Sequence, residues 1–155
     1  MCSTRPKMLQ RRERCRRAFV QNQVHKRFHS VVHITGISVG DIYTFGQTLN
    51  ATVEEEFVRT LNENREVWDP TKEYEGAIFE RQSEVFPDIL LKISDKIIFG
   101  LELKTWYLLA KEGEPSFRMR QSPKACADGD LMVVVPWVLS NVLSGSPIIL
   151  EPYVR

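Results

Sequence analysis

Two apolar runs, Phe86–Ile93 (FPDILLKI) and Ile97–Lys104 (IIFGLELK), joined by Ser94-Asp95-Lys96, decide the reading of this chain. The short polar joint predicts a hairpin with a three-residue turn. Pairing symmetrically about Asp95 sets Ile89, Leu91 and Ile93 opposite Leu101, Phe99 and Ile97. That face is wholly apolar and must be core. A two- or four-residue turn would set apolar residues against polar ones, because a one-residue slip moves every side chain to the other face. The second face then carries Asp88 directly opposite Glu102, with Lys104 two residues further along. Opposed side chains have Cβ atoms about 4.5–5.5 Å apart, and like charges there are destabilising. A divalent cation between them turns repulsion into coordination. The plainer alternative is a pair of exposed strand carboxylates with Lys104 as a surface charge partner.

Upstream, Val31–Ile34 and Ile42–Phe45 read as short strands or extended segments set apart by Gly36 and Gly40. Thr52-Val53-Glu54-Glu55 fits a capping box and predicts a helix from Thr52 to about Trp68, stopped by Asp69-Pro70. Its apolar stripe is Val53, Phe57, Leu61 and Trp68. Residues 77–83 form a further expected strand ahead of the hairpin. Downstream, KEGEP at 111–115 is a turn and Ser116–Arg120 a weak strand. Leu131–Val135 is a short apolar run of the buried-strand kind. Pro136 suits the start of a helix that Gly145 closes, and Pro147–Leu150 returns as a strand. The order predicts an α/β domain: a mixed sheet with a central antiparallel hairpin, more parallel toward its end, flanked by helices.

The motif Pro87-Asp88 … Glu102-Leu103-Lys104, with an acidic helix upstream, resembles the PD-(D/E)xK nuclease superfamily, and within it the bacterial restriction-type endonucleases. The resemblance covers roughly residues 42–150. It implies a restriction-endonuclease-like core and Mg²⁺-dependent hydrolysis of DNA phosphodiester bonds. Asp88 and Glu102 would hold the Mg²⁺, with the carbonyl oxygen of Leu103 as a further ligand and Lys104 beside the attacking water. Two other readings stand beside it: a non-catalytic nucleic-acid-binding or assembly protein that keeps the nuclease fold, and a structural domain carrying the motif by chance.

Glu54, Glu55 and Glu56 extend the candidate set. At about 100° per residue from Phe57, Glu54 lies about 60° off the stripe, Glu56 about 100° and Glu55 about 160°. Glu54 is therefore expected to turn toward the sheet and reach the metal directly or through water, and Glu55 to face solvent. The competing explanation is that all three favour the positive end of the helix dipole.

Charge is unevenly spread. Residues 1–29 hold nine Lys/Arg against Glu13 alone, while the remainder holds 12 basic and 19 acidic residues, so an arm of +8 precedes a body of −7. A basic arm (residues 1–30) ahead of a nuclease-like domain (31–155) suggests phosphate contacts through Arg11, Arg12, Arg16 and Arg17. Arg-rich, acid-poor composition also fits an organelle-targeting peptide, and a wrongly chosen start site is a further explanation. Arg118 and Arg120, past the motif, are further candidates for phosphate contact; an exposed strand face explains them equally well. His25, His29 and His33 recur every fourth residue, but Val31-Val32 and Ile34 argue against one helix carrying all three.

The 155 residues, 43% hydrophobic and 26% charged, suit one globular domain. No apolar run approaches the roughly 20 residues of a membrane helix, and no apolar segment of secretory type follows the basic start. Cys2, Cys15 and Cys126 lack CxxC spacing, pointing to a reducing cytoplasm rather than a zinc site or disulfide scaffold. There is no GxSxG, HExxH or phosphate-binding glycine loop. The end at Arg155, directly after an apolar run, is the pattern expected of a fragment, or of a protein whose base-reading surface comes from a partner or a homodimer.

Overall fold

The computed structural model describes Gln10 and residues 33–38, 41–83, 85–109, 130–141 and 143–154. Helix α1 (Ile42–Glu63) and the short α2 (Arg65–Trp68) lead into strands β1 (Ile78–Arg81), β2 (Ile89–Ile93), β3 (Lys96–Tyr107), β4 (Leu131–Asn141), β5 (Ser144–Ile149) and β6 (Tyr153–Val154). The sheet order is β1-β2-β3-β4-β5, with β6 also paired to β4. The β3–β4 pair is parallel and the others are antiparallel. This is an α/β fold with a mixed sheet. Among the described residues no helix is long and apolar enough to cross a membrane.

The helix begins ten residues before the expected Thr52, at Ile42. The segment Ile42–Phe45, read as extended, is its first turn. Ile42, Phe45, Leu49, Val53, Phe57 and Leu61 are spaced by three or four and form one stripe toward the sheet. That stripe overrides the β-branched look of Ile42–Phe45 and the capping-box pattern at Thr52, which lies mid-helix and exposed. The acidic run 54–56 is thus well inside α1, where the first-turn dipole effect has faded, and another cause must account for it. At the far end the helix breaks at Asn64, and Trp68 donates Nε1–H to the Leu61 carbonyl at 2.8 Å. Asp69, almost fully buried, accepts the Glu73 and Tyr74 N–H groups at 2.8 and 2.9 Å and shapes the turn that leads to β1.

The β2–β3 register matches the expectation over Ile89↔Leu101, Leu90↔Gly100 and Leu91↔Phe99. The tip does not. Its turn has two residues, with Ser94 at φ 51, and pairs Ile93 with Lys96 and Lys92 with Ile97. Ile98 bulges out of β3 between the two registers. Ile97, assigned to the core by symmetry, is therefore 56% exposed. The bulge absorbs the one-residue slip of the shorter turn and keeps the apolar set of the lower hairpin inward.

The larger correction lies beyond Pro136. Instead of a helix from Pro136 to Gly145, β4 runs on to Asn141 and turns back into β5, with Gly145 at φ 95. Trp137 and Leu139 are buried while Val138 is half-buried and Ser140 exposed, a period of two. Pro136 lacks an N–H, but its carbonyl accepts Leu150 N–H at 2.8 Å. Trp137 then anchors the sheet against α1, tilted against Tyr107 (centroids 4.8 Å apart) and edge-on to Phe45 (5.6 Å). The weak strand at 116–120 lies outside the described residues, as do Val31 and Val32. Ile34 makes an isolated bridge to Gly145.

Among the described residues strand β1 lies at the edge of the sheet, and α1 covers part of that edge. Asn62 donates Nδ2–H to the Phe79 carbonyl and accepts the Phe79 N–H on Oδ1, both at 2.8 Å. This side-chain amide stands where another strand's backbone would pair. Asn62→Leu is expected to cost about 1 kcal/mol per bond lost, read by urea denaturation, and to increase light scattering at high protein concentration. Unchanged stability and unchanged scattering would show that the amide does not guard the edge.

Candidate active site

The Pro87-Asp88 dipeptide is held on the sheet by contacts that the motif alone does not reveal. A Cβ on Gly100 would lie 2.1 Å from Pro87 Cγ, so the proline ring rests on bare β3 backbone. Gln82 grips the same dipeptide twice. Its N–H reaches the Asp88 carbonyl at 2.7 Å and its Nε2 the Pro87 carbonyl at 2.8 Å. Asp130 Oδ1 accepts the Gly100 N–H at 2.7 Å from the β4 side. Gly100→Ala is therefore expected to push Pro87 off the strand, costing about 1–3 kcal/mol as overpacking does and displacing Asp88. A melting temperature and activity both at the wild-type level would show that Pro87 does not depend on this close approach.

Asp88 Oδ2 accepts the Leu103 N–H at 2.7 Å, which fixes the carboxylate at the end of β2 beside β3. The Leu103 side chain is buried in the core. Its carbonyl points to the same side of β3 as its N–H, as in any strand, and so toward Asp88. Burial first, and the Glu102 charge next, push the Asp88 carboxyl up to about 7. The Leu103 hydrogen bond and Lys104 pull the other way, while Glu54 adds to the rise. Glu102 and Glu54 thus each lie within electrostatic reach of Asp88.

Glu102 is only 5% exposed. Its Oε1 accepts a hydrogen bond from Lys104 Nζ, which confirms that the two side chains share a face. Its Oε2 is buried and, among the described residues, has no hydrogen-bond partner. An unpartnered anionic oxygen at that depth is costly unless something else ligates it. Glu54 is buried and faces the sheet, Glu56 is half-buried and Glu55 exposed, in the order the helical angles predict. Both Glu54 oxygens are engaged: Asn50 Nδ2 donates to Oε1, and Arg81 Nε to Oε2 at 2.7 Å. Glu54 as it stands holds Arg81 and would have to change partners to reach a metal directly.

Among the described residues no group of three or more His, Cys, Asp or Glu is gathered to hold an ion alone. Mg²⁺ asks for less, since it is commonly held by one or two carboxylates with waters and substrate phosphate completing its shell. Asp88, Glu102 and the Leu103 carbonyl are all hard oxygen donors, and the orphaned Glu102 Oε2 fits such a cation.

The sheet thus brings Asp88, Glu102, Leu103 and Lys104 together with Glu54 behind them. Arg11, Arg12, Arg16, Arg17, Arg118 and Arg120 lie outside the described residues, as do His25 and His29. His33 Nδ1 lies 3.5 Å from Ser146 Oγ. Sequence reasoning passed over Arg81, Gln82, Gly100 and Asp130. A signal for Arg81 was available: extending the pairing to β1 sets it opposite Ile89, on the face that α1 covers.

Comparison of the chain with protein-family models, with curated proteins and with solved structures yields no match. The case for any activity rests on the geometry.

Proposed function

We propose that this protein is a Mg²⁺-dependent endonuclease of restriction type that hydrolyses DNA phosphodiester bonds. The observation that carries the reading is Glu102. It is a buried carboxylate with one oxygen on Lys104 and the other unpartnered among the described residues, near a second carboxylate, Asp88, just ahead of the neighbouring strand β2. Asp88, Glu102 and the Leu103 carbonyl would hold the ion. When bound, the ion acidifies a water and offsets negative charge at the phosphate and the leaving oxygen. Lys104 Nζ would orient or deprotonate the attacking water and stabilise the charge developing on the phosphoryl oxygens. The water oxygen bonds to phosphorus and gives up its proton to solvent as the P–O3′ bond breaks, and the 3′ oxygen leaves with a proton drawn from solvent. Glu54 stands behind this group as a positioning residue. The basic arm, with its +8 charge, supplies sequence-independent attraction to the phosphate backbone.

The test is cleavage of supercoiled and linear DNA with and without Mg²⁺. Nicking or linearisation that requires the metal supports the reading. DNA binding that is independent of metal, with no cleavage under any condition, favours the non-catalytic alternative instead.

A further inference from the structure

Glu102, Lys104 and Trp106 follow one another at every second residue of β3. The pairing with β4 runs without a break from Leu101↔Leu131 to Tyr107↔Trp137, so alternation holds over the whole stretch. The indole of Trp106 therefore stands on the face that carries Glu102 and Lys104. Leu103 and Tyr107 take the other face and are buried in the core with α1. The rise along a strand puts Trp106 roughly 7 Å beyond Lys104.

The chain has three tryptophans, and the core accounts for two of them. Trp68 donates Nε1–H to the Leu61 carbonyl and meets the rings of Tyr74 and Phe79. Trp137 meets those of Tyr107 and Phe45. Trp106 differs. Among the described residues it belongs to no ring pair, its Nε1 has no hydrogen-bond partner, and it lies outside the core cluster. Its side chain is half-buried. Its partner on β4 is Pro136, while Lys104 is followed across the sheet by Val134 and then by the exposed Tyr153 of β6. This face is thus charged at Glu102 and Lys104 and turns apolar and aromatic beside them. A nucleotide is divided in the same way, into a charged phosphate and a flat base that stacks on aromatic side chains.

We infer that Trp106 stacks on an unpaired nucleobase of the strand whose phosphate is brought to Glu102 and Lys104. The substrate is then DNA whose base is free of the duplex at the cut, in a single strand or where a duplex has been opened. This rests on the nuclease reading for the identity of the ligand. Stacking needs only a π-face, so it adds affinity without sequence preference. A base inside a duplex is held in the stack and cannot meet the ring unless it is extruded. The plain alternative is that Trp106 packs under another part of this chain and serves only the fold.

Two oligonucleotides of equal length separate these roles: a thymidine strand and a strand of abasic sugar-phosphates. Each is fluorescein-labelled and titrated by anisotropy, with Ca²⁺ in place of Mg²⁺. The wild type should prefer the thymidine strand by about fivefold to 150-fold, the worth of one stacked base. Trp106→Ala should lose most of that preference and keep its affinity for the abasic strand. Its salt dependence should stay that of the wild type, since no charge is removed. A packing role would lower the melting temperature and weaken binding of both strands alike. That result, or a preference that survives in Trp106→Ala, overturns the inference. Should Trp106→Ala not fold, intrinsic fluorescence of the wild type replaces it. Trp68 and Trp137 are buried, so quenching by unlabelled thymidine strand and not by abasic strand reports Trp106. Trp106→Phe should abolish the quenching and keep the preference. Wild-type emission unchanged at saturation overturns the inference. Quenching by the single strand alone identifies a single-stranded substrate, and equal quenching by a duplex identifies a protein that opens one.

Wild-type cleavage in Mg²⁺, run in parallel, tests the nuclease reading separately. Cleavage without a Trp106-dependent preference removes only the stacking contact. The preference without cleavage removes the nuclease reading and leaves a base-binding face. No binding of either strand by the wild-type protein removes both.

Discussion

Asp88→Asn and Glu102→Gln are each expected to abolish Mg²⁺-dependent DNA cleavage while leaving the protein folded. The substitutions keep shape and much of the hydrogen bonding. An asparagine at 88 can still accept the Leu103 N–H, and a glutamine at 102 can still accept from Lys104. What they remove is negative charge from a pair of carboxylates that repel each other across neighbouring strands. Without metal, the melting temperature of either variant should therefore equal or exceed that of the wild type at pH 8. Lys104→Ala is expected to cost about 10²–10⁴ in rate, the usual worth of a positioned proton-transfer group. Single-turnover cleavage and thermal unfolding on the same preparations give both numbers. Substantial turnover by Asp88→Asn or Glu102→Gln would overturn the site assignment. A large fall in apo stability would mean that the two carboxylates serve the fold.

The second large effect is on pH. The Asp88 carboxyl is raised from 3.8 to about 7 by burial and by Glu102. A raised folded-state value means that the apo protein holds a proton there that the unfolded chain has given up. The stabilising contribution is fully present below about pH 4 and is lost as pH rises toward 7. In a fully enclosed group the shift would correspond to about 4 kcal/mol; partial solvent access screens this to roughly 1–2 kcal/mol. Mg²⁺ needs the ionised form, so its apparent affinity should fall about tenfold per pH unit below 7. The metal-bound protein should thus gain stability over the range in which the apo protein loses it. Thermal shifts at pH 5, 6 and 8 with and without Mg²⁺ measure both trends (the pH values bracket the Asp88 titration). Asp88→Asn should flatten them. A Mg²⁺ effect of equal size at pH 5 and pH 8 would place the metal elsewhere or nowhere.

Repetition of short-range geometry made much of the site legible from sequence. Alternation along β3 puts Glu102 and Lys104 on one face whatever surrounds the hairpin, and the even register holds from Leu91↔Phe99 to Ile89↔Leu101, ending one residue short of Asp88. The 3.6-residue period likewise placed Glu54 inward and Glu55 outward, though the start of α1 was misjudged by ten residues. Both errors of element type came from signals that compete locally. Ile42–Phe45 looked extended because Ile is β-branched, yet it continues a helical stripe. Pro136 looked like a helix start, yet Trp137 and Leu139 alternate with Val138 and Ser140 as a strand does.

Tertiary structure decided what surrounds the motif. The hairpin tip takes a two-residue turn because a bulge at Ile98 can absorb the slip, and no count of apolar residues reveals that. Pro87 seated on Gly100, Gln82 holding the dipeptide and Asn62 on the sheet edge are contacts between residues distant in sequence. The burial that lifts Asp88, the orphaned oxygen of Glu102 and the capture of Glu54 by Arg81 depend on which surfaces are removed from water together. The order of residues along the chain specifies which groups can meet on one face. Desolvation and charge coupling specify what those groups do there, and both arise only once helix and sheet close over one another.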